Sequence, residues 1–152
     1  MRIFTAFPLV GASKIRTDRG HPGGTVDVGW LPVAVRAVRG AIQVEADDRD
    51  EIIAAVAEMI DAVLSKNSFT ADDMISIFFT VTGDLTAEFP AYATRKAGIT
   101  DVPMLCSIEI PVAGAMPRVV RMMAHVETDV PRSEIRHAYL RGAAALRTDL
   151  QH

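Results

Sequence analysis

One α+β domain, a small mixed sheet with helices on one face, is the fold class that this sequence predicts, and three observations predict it. At 152 residues, 49% of them hydrophobic, the chain can bury one ordinary core. Strand-like patterning recurs in several stretches after residue 33, whereas only one long stretch carries a helical period. That is too few helices for a doubly wound sheet, and no internal repeat suggests a solenoid. A small sheet covered on one face often hides the other in an oligomer.

Residues 1–32 contain Pro8, Gly11, Gly20, Pro22, Gly23, Gly24 and Pro32 and hold no persistent period. They are expected to form a flexible N-terminal extension without chemistry, ahead of a domain over 33–152. The first twelve residues imitate a weak signal peptide, but a lone Arg2 and the interrupting Pro8 argue against export, so a cytoplasmic location is expected. Ordered patterning begins at Val33 or Val35, as it would if the start had been placed too far upstream.

In AVRAVRGAIQVE, alternation sets Arg36, Val38, Gly40, Ile42 and Val44 on one strand face and Ala37, Arg39, Ala41 and Gln43 on the other. Acids from Asp47 onward can cap a helix whose Ile52, Val56, Met59, Ile60 and Val63 form one apolar stripe ending near Asn67. Thr70 with Asp73 signals a capped turn. The run MISIFFTV, 74–81, reads as a strand buried on both faces. Pro90 opens a short helix that Gly98 closes, and 102–110 is β-rich until Pro111. Residues 118–127 read as a long strand, Pro131 and Ser133 as a helical turn, and 143–146 as a last short strand.

A net charge of −3 lacks the basic field that general nucleic-acid binding needs. The single Cys106 excludes an internal disulfide, the four histidines show no metal-ligand spacing, and no apolar run reaches the roughly 18 residues of a membrane span. Small molecules or proteins are the expected partners.

Arg121 shares its strand face with Val119, Met123 and His125, and burying its charge unpaired would be prohibitive. Its partner is either a carboxylate of the protein or an anionic ligand, and Arg39, flanked by Ala37 and Ala41, poses the same question. Arginines at sheet edges are usually solvated or paired, which favours structural salt bridges, and six arginines from Arg118 to Arg147 against only Glu127, Asp129 and Glu134 shift that balance slightly toward an anion. Cys106 and Glu109, three apart, lie on opposite faces of an ideal strand and converge only if it ends or bulges between them. Taken alone, Cys106 reads as a small buried residue, Glu109 as an arginine's partner and Tyr139 as a half-buried aromatic. His125 and His137 read as structural.

The segments RxxRGA at 36–41, DLTAEFPAYATR at 84–95, PMLCSIEI at 103–110, RVVRMMAHVETDVP at 118–131 and IRHAYLRGAAALRTDL at 135–150 together resemble the monofunctional chorismate mutases of the AroH class. The resemblance implies a homotrimer around a barrel-like core of sheets, with active sites between subunits. It also implies an isomerase of phenylalanine and tyrosine biosynthesis that turns chorismate into prephenate by a Claisen rearrangement, without cofactor, metal or covalent intermediate. Carried over by position, Arg121 meets the ether oxygen and a carboxylate, Arg39 and Tyr139 hold carboxylates, and Glu109 and Cys106 bond near the ring hydroxyl. Phe89 and Ala91 line the pocket, Arg95 lies at its mouth, and Leu146 and Arg147 complete the binding set. Two positions depart from the family pattern: Tyr92 replaces a frequent lysine and Leu105 a common threonine. Both changes are expected to touch binding more than chemistry. Trimeric imine deaminases of the RidA type are the rival enzyme class, but they lack the clustered Arg39, Glu109, Arg121 and Tyr139. A non-catalytic trimeric module that binds a related metabolite is the other rival.

Overall fold

The computed structural model describes residues 33–150, so the expected N-terminal extension lies outside the described residues. Five strands form one mixed sheet: β1 (Ala34–Gln43), β2 (Met74–Val81), β3 (Met104–Ile108), β4 (Val119–Thr128) and β5 (Ala138–Leu140), in the order β3-β2-β4-β1-β5. β4 runs antiparallel to both β1 and β2, while β5 joins β1 and β3 joins β2 in parallel. Helix α1 (Arg49–Asn67) and the short α2 (Pro90–Lys96) supply the helical layer.

Alternation settles which face is which. Val38, Ile42 and Val44 of β1, and Val120, Met122, Ala124 and Val126 of β4, are all buried and meet Ile52, Val56, Met59 and Val63 of α1 in one core. At Gly40 the helix and sheet approach closely, since a Cβ there would stand 2.9 Å from both Met59 Cγ and Met122 Cγ. The expected acid cap is Asp48, whose carboxylate accepts from Asp50 N at 3.0 Å and Glu51 N at 2.9 Å. At the other end Ser68 turns left-handed, with φ 56°, and closes the helix.

Two expectations need correction. Met74, Ile77 and Phe79 of β2 are buried, but Ile75 and Phe78 remain 40% and 42% exposed, because the helices cover only one face of the sheet. The run is therefore buried on one side of the protomer, not on both. The strand expected over 143–146 is absent, and β5 lies earlier. After Leu140, Arg141 takes φ 50°, and Gly142 meets Gln43 so closely that a Cβ there would fall 1.7 Å from Gln43 Oε1. The chain thus leaves the ladder, and an alanine-rich stretch of low strand propensity coils into 3-10 turns over Arg141–Leu150.

One buried polar side chain holds the short β5 in place. Asn67, at the end of α1, donates to Val63 O and Arg136 O, each at 2.8 Å, and accepts from Arg136 N at 2.7 Å. Asn67→Ala should lower unfolding free energy by about 2 to 3 kcal/mol, since it strands both backbone groups of Arg136. Urea denaturation checks this, and a loss within error of zero would mean that water replaces the amide.

Candidate functional site

The strand register assembles the site on the face opposite α1. Thr80 of β2 pairs with Arg121 of β4, Arg121 with Ala41 of β1, and Ala41 with Tyr139 of β5, which makes one rung across four strands. Arg39 pairs with Met123, so it stands diagonal to Arg121 on the same face, about 7 to 8 Å away by ordinary sheet geometry. Ala41, between Arg121 and Tyr139 on that rung, is itself buried.

Glu109 follows the end of β3, where its amide donates to Val81 O at 2.9 Å. Its side chain turns to the Arg121 face, ion-paired with that guanidinium and accepting from Thr80 Oγ1 at 2.6 Å. Arg121 and Glu109 are about three-quarters buried, with side-chain exposures of 24% and 22%. The carboxylate is therefore the protein partner that Arg121 required. Arg39 forms no ion pair with a carboxylate among the described residues, so the cluster of Arg39, Arg121 and Glu109 carries a surplus positive charge.

The C-terminal turns fold onto this face. Ala143 joins Ala41 and Val119 in a small apolar cluster, with Met116, Tyr139 and Leu146 packed around it. Under that cover the Tyr139 hydroxyl is buried and has no hydrogen-bond partner among the described residues, a costly state unless a ligand completes it. His137 also belongs here: its Nδ1 accepts from Arg39 N at 3.2 Å. Burial, then the charges of Arg39 and Arg147, push its imidazole below the usual histidine range. Thr80 and His137 were missed as site residues by sequence reasoning. Thr80 sits in an apolar run and His137 lies 98 positions from Arg39, and only the register brings either to an arginine.

The other expected residues lie elsewhere. Cys106 pairs with the buried Phe79 and packs against the helix-side core. It opens with Phe89, Leu85 and Ile108 into a cleft of about 280 Å³, whereas Glu109 opens with Met116 and Pro117 into a separate one. Phe89 caps α2 and is 70% exposed, Ala91 is buried in that helix, and Arg95 is exposed in its last turn. Arg39, Glu109, Arg121, Tyr139, Leu146 and Arg147 thus share one face of the sheet, while Phe89, Ala91, Arg95 and Cys106 gather at the α2 and β3 edge. Beside that second group a guanidinium stands over Tyr92: Arg49 lies 5.2 Å from its ring centroid and donates to Glu88 at 2.8 Å.

A model of the chorismate mutase type I family matches residues 35–150. Chorismate mutase AroH of Thermus thermophilus is 44% identical over 118 residues, covering 77% of this chain and 97% of that protein. The Bacillus subtilis AroH is 37% identical over 117 residues, covering 76% and 92%. Among solved structures, a chorismate mutase from Clostridium thermocellum superposes with a TM-score of 0.71 at 43% identity, over 72% of this chain and 98% of that one.

The orphaned hydroxyl yields a test that needs no substrate. Tyr139→Phe should stabilise the free protein by about 1 kcal/mol, because it removes a desolvated group that bonds to nothing. Chemical denaturation without ligand measures it, and a destabilised variant would show that the hydroxyl is satisfied.

Proposed function

The chain belongs to the type I chorismate mutase family and converts chorismate to prephenate, and from that premise we propose that the Thr80–Arg121–Ala41–Tyr139 rung, with Glu109 and Arg39, is the half of the active site that performs the rearrangement. The observation that carries this reading is the surplus positive charge of that cluster beside the buried, unpartnered Tyr139 hydroxyl. A dicarboxylate meets both needs.

The step is a [3,3] sigmatropic shift: the ether C–O bond breaks as a C–C bond forms, and no proton changes hands. Two tasks remain for the protein, holding the compact conformer and stabilising charge on the departing ether oxygen. Arg121 donates to that oxygen, pre-aimed by Glu109, which Thr80 in turn holds. Glu109 is an anchor and not a base. Arg39 and Tyr139 bind carboxylate oxygens, with Leu146 and Arg147 closing over them.

Phe89, Ala91, Arg95 and Cys106 form the complementary half, supplied by a neighbouring subunit of a homotrimer. This reading is supported by the separation of the two groups within one protomer. The exposed apolar surface of β3 and its exit, with Leu105 at 63%, Ile108 at 71% and Ile110 at 84% exposure, supports it too, as does the bare sheet face around Phe78 and Met123. Operation in the cytoplasm, within aromatic amino-acid biosynthesis, is part of the same proposal. Sedimentation should give a trimer, and a fully active stable monomer would refute the shared site.

Arg121→Ala tests the chemistry. The variant should remain folded and lose at least about a hundredfold in kcat, as removal of a preorganised donor does, and lysine should recover little of it. Loss of chorismate absorbance, with prephenate identified as product, measures turnover. A variant that melts early but turns over at the wild-type rate would reduce the ion pair to a structural one.

A further inference from the structure

We propose that His137 is a positioning residue for this reaction, its neutral Nδ1 accepting the Arg39 backbone N–H and fixing the part of β1 from which Arg39 reaches the substrate. The inference rests on the proposed role of Arg39 and adds the group that holds it.

The parallel ladder between β1 and β5 pairs Gly40 with Ala138, Ala41 with Tyr139 and Ile42 with Leu140. One step earlier, at Arg39, the N–H on that side of β1 bonds to a side chain, His137 Nδ1 at 3.2 Å. The next residue, Gly40, is paired with Met122 on one side and Ala138 on the other and packed against Met59, so Arg39 stands at the edge of the β1–β5 pairing. The imidazole continues the support of β1 one position beyond the last ladder pair on that side.

His137 is itself rigidly presented. The preceding Arg136 is clamped at both its N–H and C=O by Asn67, and the following Ala138 is fully buried. A chain of contacts thus runs from the end of α1 through Arg136 and His137 to Arg39. Only a neutral imidazole can accept at Nδ1, which places the proton on Nε2. Burial favours that state first, then the charges of Arg39 from β1 and Arg147 from the C-terminal turns, while Tyr139 follows two residues on and α1 packs on the opposite face of the sheet. A charged ring would add a further cation to this group and lose the acceptor.

Two variants separate the acceptor from the shape. His137→Phe keeps a ring and removes the lone pair, whereas His137→Asn restores an acceptor oxygen close to the Nδ1 position. For the Phe variant, the KM for chorismate should rise about five- to tenfold with kcat within about twofold, the scale of one lost hydrogen bond expressed through binding. The Asn variant should stay within about twofold of wild type in both parameters. Nitrogen-15 NMR of the wild-type ring at neutral pH should show the Nε2–H tautomer. If the Phe variant fails to fold, the Asn kinetics and the ring tautomer still decide. Unchanged KM in the folded Phe variant, equal losses in both variants, or a protonated Nδ1 would overturn the proposal. A wild-type protein inactive toward chorismate would instead overturn the functional reading, and the tautomer would still report on the contact.

Discussion

The central pair of strands, β1 and β4, must turn one apolar face toward α1, and the candidate site is the consequence on the other face. Because side chains alternate, burying Val38, Ile42, Val120 and Met122 leaves Arg39, Ala41, Arg121 and Met123 no choice but the outer side. A slip of one residue would drive both guanidinium groups into the apolar core, at a large desolvation cost. Core packing therefore sets the positions of the arginines, and the close fit of Gly40 beneath Met59 and Met122 sets how near α1 can come.

The electrostatics follow from that placement. Arg121 is too buried to stay unpaired, and Glu109 answers it from a strand end where the chain has left the ladder and the side chain can turn. The pair is not neutral in context, since Arg39 stands diagonal to it. The resulting field is suited to a dianion, and it is preorganised because Thr80 and the sheet hold the groups before any ligand arrives. The Tyr139 hydroxyl, buried and without a partner among the described residues, expresses the same design: polar capacity is kept ready at some cost in stability.

Within one protomer the two groups of candidate residues lie apart. Phe89 and Cys106 at the α2 and β3 edge line a different cleft from Glu109, because Cys106 follows the alternation of β3 while Glu109 lies beyond its end. Assembly of copies would unite the halves and cover Phe78, Met123 and the apolar exit of β3 at once, so the same contact would serve stability and chemistry.

By itself, the sequence determined the local elements and which side chains share a strand face. The period of α1, its Asp48 cap, the turn at Thr70 and Asp73 and the alternation of β1 and β4 are short-range patterns, and each is found in the structure as read. So is the family, because its segments recur in order. What only tertiary structure decided is what depends on distant partners. Whether Arg121 meets a carboxylate, whether β2 is covered on its second face, where the last strand ends and what His137 bonds to are all set by neighbours far along the chain. The misplaced last strand shows the reason most plainly: its alanines have little preference of their own, and the contact of Gly142 with Gln43, 99 residues away in the chain, ended the ladder before they could join it.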